Sequence, residues 1–208
     1  GVATPAPPAY ACAAALRSRE LWLLAAIFAL ASAALNGVQA QLAPMMTERG
    51  RSAGEAAWLL STVGIGSFPA RLLIGYWLDK VFAPYLAIGF FGASAVALYW
   101  LADGQAPIGL ALAAMAVGAS LGAENDVLGY LTGRYFDLNC FGKIYGALLS
   151  AYLLGAAAGP YWMAQTHARS GSYAPALHAG AAAILLACTL LAFLRRYRLG
   201  DPSDAHTH

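Results

Sequence analysis

Charge is what this 208-residue sequence has least of. Asp, Glu, Lys and Arg make up 11% of it, against about 25% in an ordinary soluble domain. Apolar side chains reach 60% and mean hydropathy is +0.60, so the expected solvent is lipid. The net charge of +2 and the scatter of the basic residues leave no patch for a nucleic acid. Cysteine is scarce as well: Cys12, Cys140 and Cys188 are far apart and odd in number. Neither a disulfide framework nor a Cys-x-x-Cys metal pair is expected. The histidines His167, His178, His206 and His208 have no third partner at ligand spacing, so no metal and no cofactor is expected. No His/Asp/Glu cluster, no Ser or Cys paired with a His at plausible depth and no nucleotide-binding loop is present, which argues against an enzyme. Segment 1–19 lacks the charged start and cleavable apolar core of a signal peptide. Rich in Ala and Pro, it reads as a linker cut from the middle of a longer polypeptide.

What is there is helix-forming apolar sequence in six blocks. A span takes about 20 mainly apolar residues, because a helix rises 1.5 Å per residue across roughly 30 Å of hydrocarbon. That ruler predicts an all-α polytopic membrane protein with spans at about 21–45, 56–78, 83–102, 107–130, 144–166 and 173–194. A cytoplasmic linker (1–20) precedes this six-span unit (21–194), and a cytoplasmic tail (195–208) follows it. Alternate loops collect Arg17, Arg19, Lys80, Arg134, Lys143, Arg195, Arg196 and Arg198 on one side, and Arg49, Arg51 and Arg169 on the other. The positive-inside bias therefore places both ends of the chain in the cytoplasm.

Within this background a charge inside a span needs a reason, because it costs roughly 2.5–3.5 kcal/mol on insertion scales. Arg71 lies on the second span, about 10 Å from its cytoplasmic end. Glu124 lies at similar depth on the fourth span, and Asp126 is nearer the interface on another face. An Arg71–Glu124 pair would offset part of the desolvation cost. Two roles stay open for Arg71: a snorkelling or ion-paired residue with no solute contact, or a guanidinium that binds a carboxylate in a water-filled cavity. Asp79 and Lys80 sit at a tight turn, where Asp79 with Arg134 would latch two helix ends; a solvated loop is the alternative. Asn36 and Gln39 share a helical face that Gln41 does not, either lining a cavity or bonding between helices. Tyr152, Tyr145 and Tyr130 are weaker candidates, since tyrosine near an interface is often a belt residue. Glycine and proline concentrate in the second span (Gly64, Gly66, Pro69, Gly75) and the fifth (Gly146, Gly155, Gly159, Pro160). Paired interrupted spans point to a transport site, while small residues also serve close helix packing.

Two of these motifs resemble those of one family. Gly75-x-x-x-Asp79-Lys80 resembles the G-x-x-x-D-R/K turn between the second and third helices of each half of a major facilitator superfamily (MFS) transporter. Gly146, Gly155 and Gly159-Pro160 are similar in spacing to its G-x8-G-x3-G-P motif. Segments 69–75, 122–126 and 134–136 further resemble bacterial monocarboxylate and oxalate/formate-type carriers. The resemblance implies the C-terminal six-helix half of a secondary active transporter, built as a three-plus-three inverted repeat. It would sit in the lipid of a bacterial inner membrane and would work by alternating access with an N-terminal six-helix half absent from this chain. It implies Arg71 at a site for a small organic anion, to which the reading of the residues adds Asn36, Gln39 and Tyr152. It also implies that the turn of Gly75, Asp79 and Lys80 holds a cytoplasmic gate, to whose charge network that reading adds Glu124, Asp126 and Arg134, with Gly146, Gly155, Gly159 and Pro160 in packing. Lys80 stands where arginine is commoner, and no basic cluster trails the turn. The alternative is a non-transporting scaffold or receptor that keeps the fold.

Overall fold

The computed structural model describes residues 15–78, 80–103 and 106–194. Six helices among them are long and apolar enough to cross a membrane. They are α1 (Arg19–Glu48), α2 (Ala53–Trp77), α3 (Ala83–Asp103), α4 (Pro107–Tyr135), α5 (Phe141–Ser170) and α6 (Ala174–Ala192). A single 3-10 turn, Leu138–Cys140, joins α4 to α5.

Local chemistry sets where these helices begin and end. The Ser18 hydroxyl accepts the Leu21 amide at 3.3 Å and starts α1. Gly50 then turns the chain at φ 76°. At Ser52 a capping box starts α2: Glu55 N–H donates to Ser52 Oγ, and the Ser52 amide donates to the Glu55 carboxylate at 2.8 Å. Pro107 opens α4 at a position where its missing N–H costs nothing. Gly171, at φ 67°, closes α5 in the left-handed conformation and donates its N–H to the His167 carbonyl.

Packing pairs the helices in a pattern with internal symmetry. The most extensive interfaces are α1 with α5 and α2 with α4, followed by α3 with α6, α3 with α4, and α1 with α6. Exchanging α1 for α4, α2 for α5 and α3 for α6 maps this set onto itself. That is the signature of two three-helix repeats of inverted topology, so the half bundle is a three-plus-three structure.

The two main crossings are close enough to exclude a side chain. A Cβ on Gly118 or Gly122 of α4 would overlap the carbonyls of Val63 or Ser67 on α2, and one on Gly66 of α2 would overlap that of Met115. At the symmetry-related crossing, a Cβ on Gly155 or Gly159 of α5 would overlap the carbonyls of Ala29 or Ala33 on α1. Small residues let the backbones touch, and dispersion over the touching surfaces is what holds helices together where lipid removes the hydrophobic drive. Hydroxyl bridges add to it. Ser32 donates to the Tyr152 carbonyl at 2.8 Å across α1 and α5, and Ser120 of α4 to that of Phe90 on α3 at 2.7 Å.

Helices α2 and α5 have another face to spare. The buried residues of α5 are Ile144, Leu148, Gly155, Gly159 and Met163, one narrow stripe, and α2 is similar. The remaining faces of both are uncovered by this half.

Candidate functional site

The polar side chains at mid-depth gather where α1, α2, α4 and α5 meet. On α5, the Tyr152 phenol faces the side-chain amides of Asn36 on α1 and Asn125 on α4, and it lies in the fields of Glu124 and Arg71. Asn36 spends one N–H on the Ser32 carbonyl of its own helix at 2.9 Å, which leaves a donor and the amide oxygen for the cluster. Glu124 is fully buried, on the side of α4 turned into the bundle. Arg71 is exposed on α2, in a stripe with Gly64, Phe68 and Gly75 that no helix of this half covers. The arrangement is a cation and two amides around a tyrosine, beside a face that no described helix covers.

The expected Arg71–Glu124 ion pair is not formed. Neither Glu124 oxygen has a hydrogen-bond partner among the described residues, because the two residues share a depth but point to different sides of the helices that carry them. Asn125 is a member of the cluster that the sequence reading passed over. Its one signal there was its place between two acidic residues on an apolar span.

The other candidates are distributed as follows. Gln39 is exposed on α1, on the same uncovered side as its neighbour Ala40. Gln41 instead binds internally: it donates to the Pro160 carbonyl of α5 at 3.3 Å and accepts from the Tyr173 hydroxyl at 3.4 Å. Gly75 and Asp126 are exposed. Lys80 lies 3.7 Å above the Tyr76 ring, and Arg134 donates to the Tyr130 hydroxyl at 3.0 and 3.1 Å. Asp79, and with it the proposed latch to Arg134, lies outside the described residues. Gly155, Gly159 and Pro160 stand at the α1–α5 contact, whereas a Cβ on Gly146 would meet nothing within 4 Å. Tyr145 stacks on Phe141 at 5.5 Å rather than joining the cluster.

One expectation about cysteine is corrected. Cys140 is disulfide-bonded, to a partner outside the described residues, and Cys188 is free. Distance in sequence misled here. Ala15 and Ser18, leading into α1, share a cleft with Tyr135, Asp137 and Cys140 at the α4–α5 connection.

At the far end of the bundle, polar residues tie helix ends together. Arg49 donates to the carbonyls of Leu101 and Ala102 at 2.6 and 3.1 Å, capping α3 from the α1–α2 loop. Burial presses its guanidinium pKa downward and the Asp103 charge opposes that. His167 of α5 meets Glu48 of α1 at 2.8 Å and stacks on Tyr173 at 4.0 Å. His178 of α6 lies 3.9 Å from Asp103 of α3. Two histidines that were silent in the sequence are thus structural ties.

A six-helix inverted repeat with an open polar wall at mid-depth defines half of a membrane carrier. The family model described as Major Facilitator Superfamily matches residues 17–207. The chain belongs to that superfamily, as a six-helix transporter half-domain embedded in the membrane, and the superfamily's members are transporters rather than enzymes. Among curated proteins, none matches the chain.

Proposed function

We propose that this chain is the C-terminal half of a secondary active transporter that moves a small organic anion, such as a monocarboxylate, by alternating access. The observation that carries the reading is Arg71: a cation at membrane depth, exposed on a face its own half leaves open. Facing lipid, it would pay the full cost of intramembrane charge; facing a water-filled site between two halves, it would not. Its planar fork matches a carboxylate in two parallel hydrogen bonds. Asn36, Asn125 and Tyr152 supply neutral donors and acceptors beside it, and Gln39 extends the polar strip toward the far end. The other wall comes from an N-terminal six-helix half. The loop charges orient both ends of the chain toward the cytoplasm of a bacterial inner membrane.

The test is uptake of 14C-labelled lactate and oxalate into vesicles bearing the whole polypeptide. Arg71→Gln is expected to raise the apparent KM about thirty-fold or more, since truncating one partner of a desolvated charge pair costs about 2–5 kcal/mol. Arg71→Lys should recover only part of this, because the ammonium cannot make the paired contact. Unchanged uptake by a well-inserted Arg71→Gln protein would remove the anion-binding role and leave the scaffold reading of the fold standing.

A further inference from the structure

The far end of α3 presents two rings and a carboxylate outward. Tyr99 and Trp100 stand four and three residues before Asp103, so the three share one helical face. All are exposed, and Asp103 keeps 70% of its side chain open. With Val96 they line one shallow pocket. His178 Nε2 stands 3.9 Å from the Asp103 carboxylate, beyond hydrogen-bond reach, which leaves the oxygens free for a closer partner. The His178 ring lies 5.2 Å from that of Tyr99. Arg49 also feels the Asp103 charge, but it turns its donors to the carbonyls of Leu101 and Ala102. The charge that faces the pocket is therefore the carboxylate. An acid in the last turn of a helix opposes the helix dipole, and an interfacial belt accounts for the tyrosine and tryptophan but not for the aspartate beside them.

An apolar groove between α3 and α4 opens from this pocket. Val96 and Trp100 border both, and Ala97 and Ala113, nearly buried, form part of its floor. It continues past Ala93 and Ala116 to Phe90 and Tyr85. From Trp100 to Phe90 the helix rises about 15 Å, the depth of one leaflet of a hydrocarbon core roughly 30 Å thick. The Trp100 indole is seated across Gly109 of α4, where a Cβ would come within 2.9 Å of Nε1. Its N–H, which can only donate, has no partner among the described residues.

We propose that the groove holds an acyl chain of a phospholipid whose headgroup carries an ammonium. The ammonium sits beside the Asp103 carboxylate and against the rings of Tyr99 and Trp100, where ion pairing and cation–π attraction act together. The indole N–H donates to the phosphate or glycerol-ester oxygens, and the chain runs down the groove toward Phe90. A phospholipid with a net negative headgroup fits worse, since its charge meets the carboxylate. A second copy of the chain docked here by a two-fold contact also fits worse. Both copies insert in the same orientation, so their Asp103 carboxylates would meet at one end of the contact. Nothing in the site depends on the solute carried.

The experiment titrates the whole polypeptide in detergent with palmitoyl-oleoyl phosphatidylethanolamine or with phosphatidylglycerol of the same chains, and counts bound lipid by native mass spectrometry. Wild-type protein should bind the ammonium lipid about ten-fold more tightly, which is what one exposed ion pair and one cation–π contact supply together. Asp103→Asn should bring the two lipids to equal affinity and keep both bound. Ala93→Phe, which fills the groove at mid-depth, should weaken both alike. Equal affinities in the wild type overturn the proposal, and that comparison needs no variant to fold. A preference that survives Asp103→Asn, or lipid binding that Ala93→Phe leaves unchanged, overturns it as well. Melting with each lipid added separates the lipid role from a structural one exerted through Arg49 or His178. The ammonium lipid should raise the melting temperature of the wild type more than the glycerol lipid does, and the difference should vanish in Asp103→Asn. A variant that melts lower in both lipids with the difference intact points to the structural role and overturns the proposal. Wild-type dimers that disappear in Ala93→Phe would put a second copy in the groove and overturn it too.

Discussion

Replacing Gly118 by alanine should separate α2 from α4, and the size of the effect follows from the geometry. The added Cβ would overlap the Val63 carbonyl oxygen and come within 2.7 and 2.8 Å of that residue's carbonyl carbon and Cα. These are backbone atoms of a neighbouring helix, so no rotamer change relieves the contact and the two axes must move apart. Overpacking of this kind costs about 1–3 kcal/mol. The upper end applies here because the shift also opens the Gly66 and Gly122 contacts along the same crossing. Alanine returns about 1 kcal/mol of helix propensity, which leaves a net loss of about 2 kcal/mol. Gly89 on α3 is the matched control, since a Cβ there would meet nothing within 4 Å. Gly89→Ala should be neutral or gain up to about 1 kcal/mol. The two variants are then expected to differ by about 2–3 kcal/mol. Melting of the detergent-solubilised protein, followed by size-exclusion chromatography after heating, ranks them. Gly159→Ala, at the crossing related by the internal symmetry, should fall beside Gly118→Ala. Equal melting of Gly118→Ala and Gly89→Ala would refute the close-crossing argument.

Two further substitutions test ties between helices in the same melting assay. Arg49→Ala removes charged donors from the carbonyls of Leu101 and Ala102 and is expected to cost about 1.5–3 kcal/mol; no change would mean that water caps α3 equally well. Ser94→Ala removes a hydroxyl 2.6 Å from Ser120 Oγ and 3.0 Å from the Ala116 carbonyl. Because Ser120 keeps its bond to Phe90, the loss should stay near about 0.6 kcal/mol, the average for such contacts in a membrane, and a loss several times larger would overturn this reading.

The six helices were legible in the sequence because length and hydropathy alone specify a span, and the apolar blocks are cleanly divided by turn residues such as Gly50 and Pro107. Which faces of those helices meet was legible only in part. The spacing of Gly155 and Gly159 marks a close approach, but nothing in it says that Ala29 and Ala33 of α1 are the residues approached. Helical depth was also readable, since it is a count of residues. Rotation about the helix axis was not, because an all-round apolar helix carries no amphipathic stripe to orient it. Arg71 and Glu124 show the consequence. Their shared depth suggested a pair, and only the rotation of α4 showed that one faces the interior and the other the open side. The ties made by Gln41 and His167 were not legible for a related reason: their partners, the Pro160 carbonyl and Glu48, are distant in sequence and have no local signature.

The positions of the tight crossings bear on how the polar cluster can change. The α1–α5 and α2–α4 pairs are each held backbone to backbone through glycines, so neither pair can slide or open without losing those contacts. Contact between α1 and α2, between α4 and α5, and between α1 and α4 is much thinner. A seam therefore runs through the half, with one tight pair on each side. Asn36 and Tyr152 belong to the α1–α5 side; Arg71, Glu124 and Asn125 belong to the α2–α4 side. Every side-chain contact that Tyr152 makes with Asn125, and its electrostatic link to Glu124 and Arg71, crosses the seam. Relative movement of the two pairs spares the glycine crossings and strains instead the interface of α3 with α6, which joins them. It also changes the surroundings of the Arg71 cation and the buried acid in one step, because both ride on the same tight pair and both act on the same tyrosine.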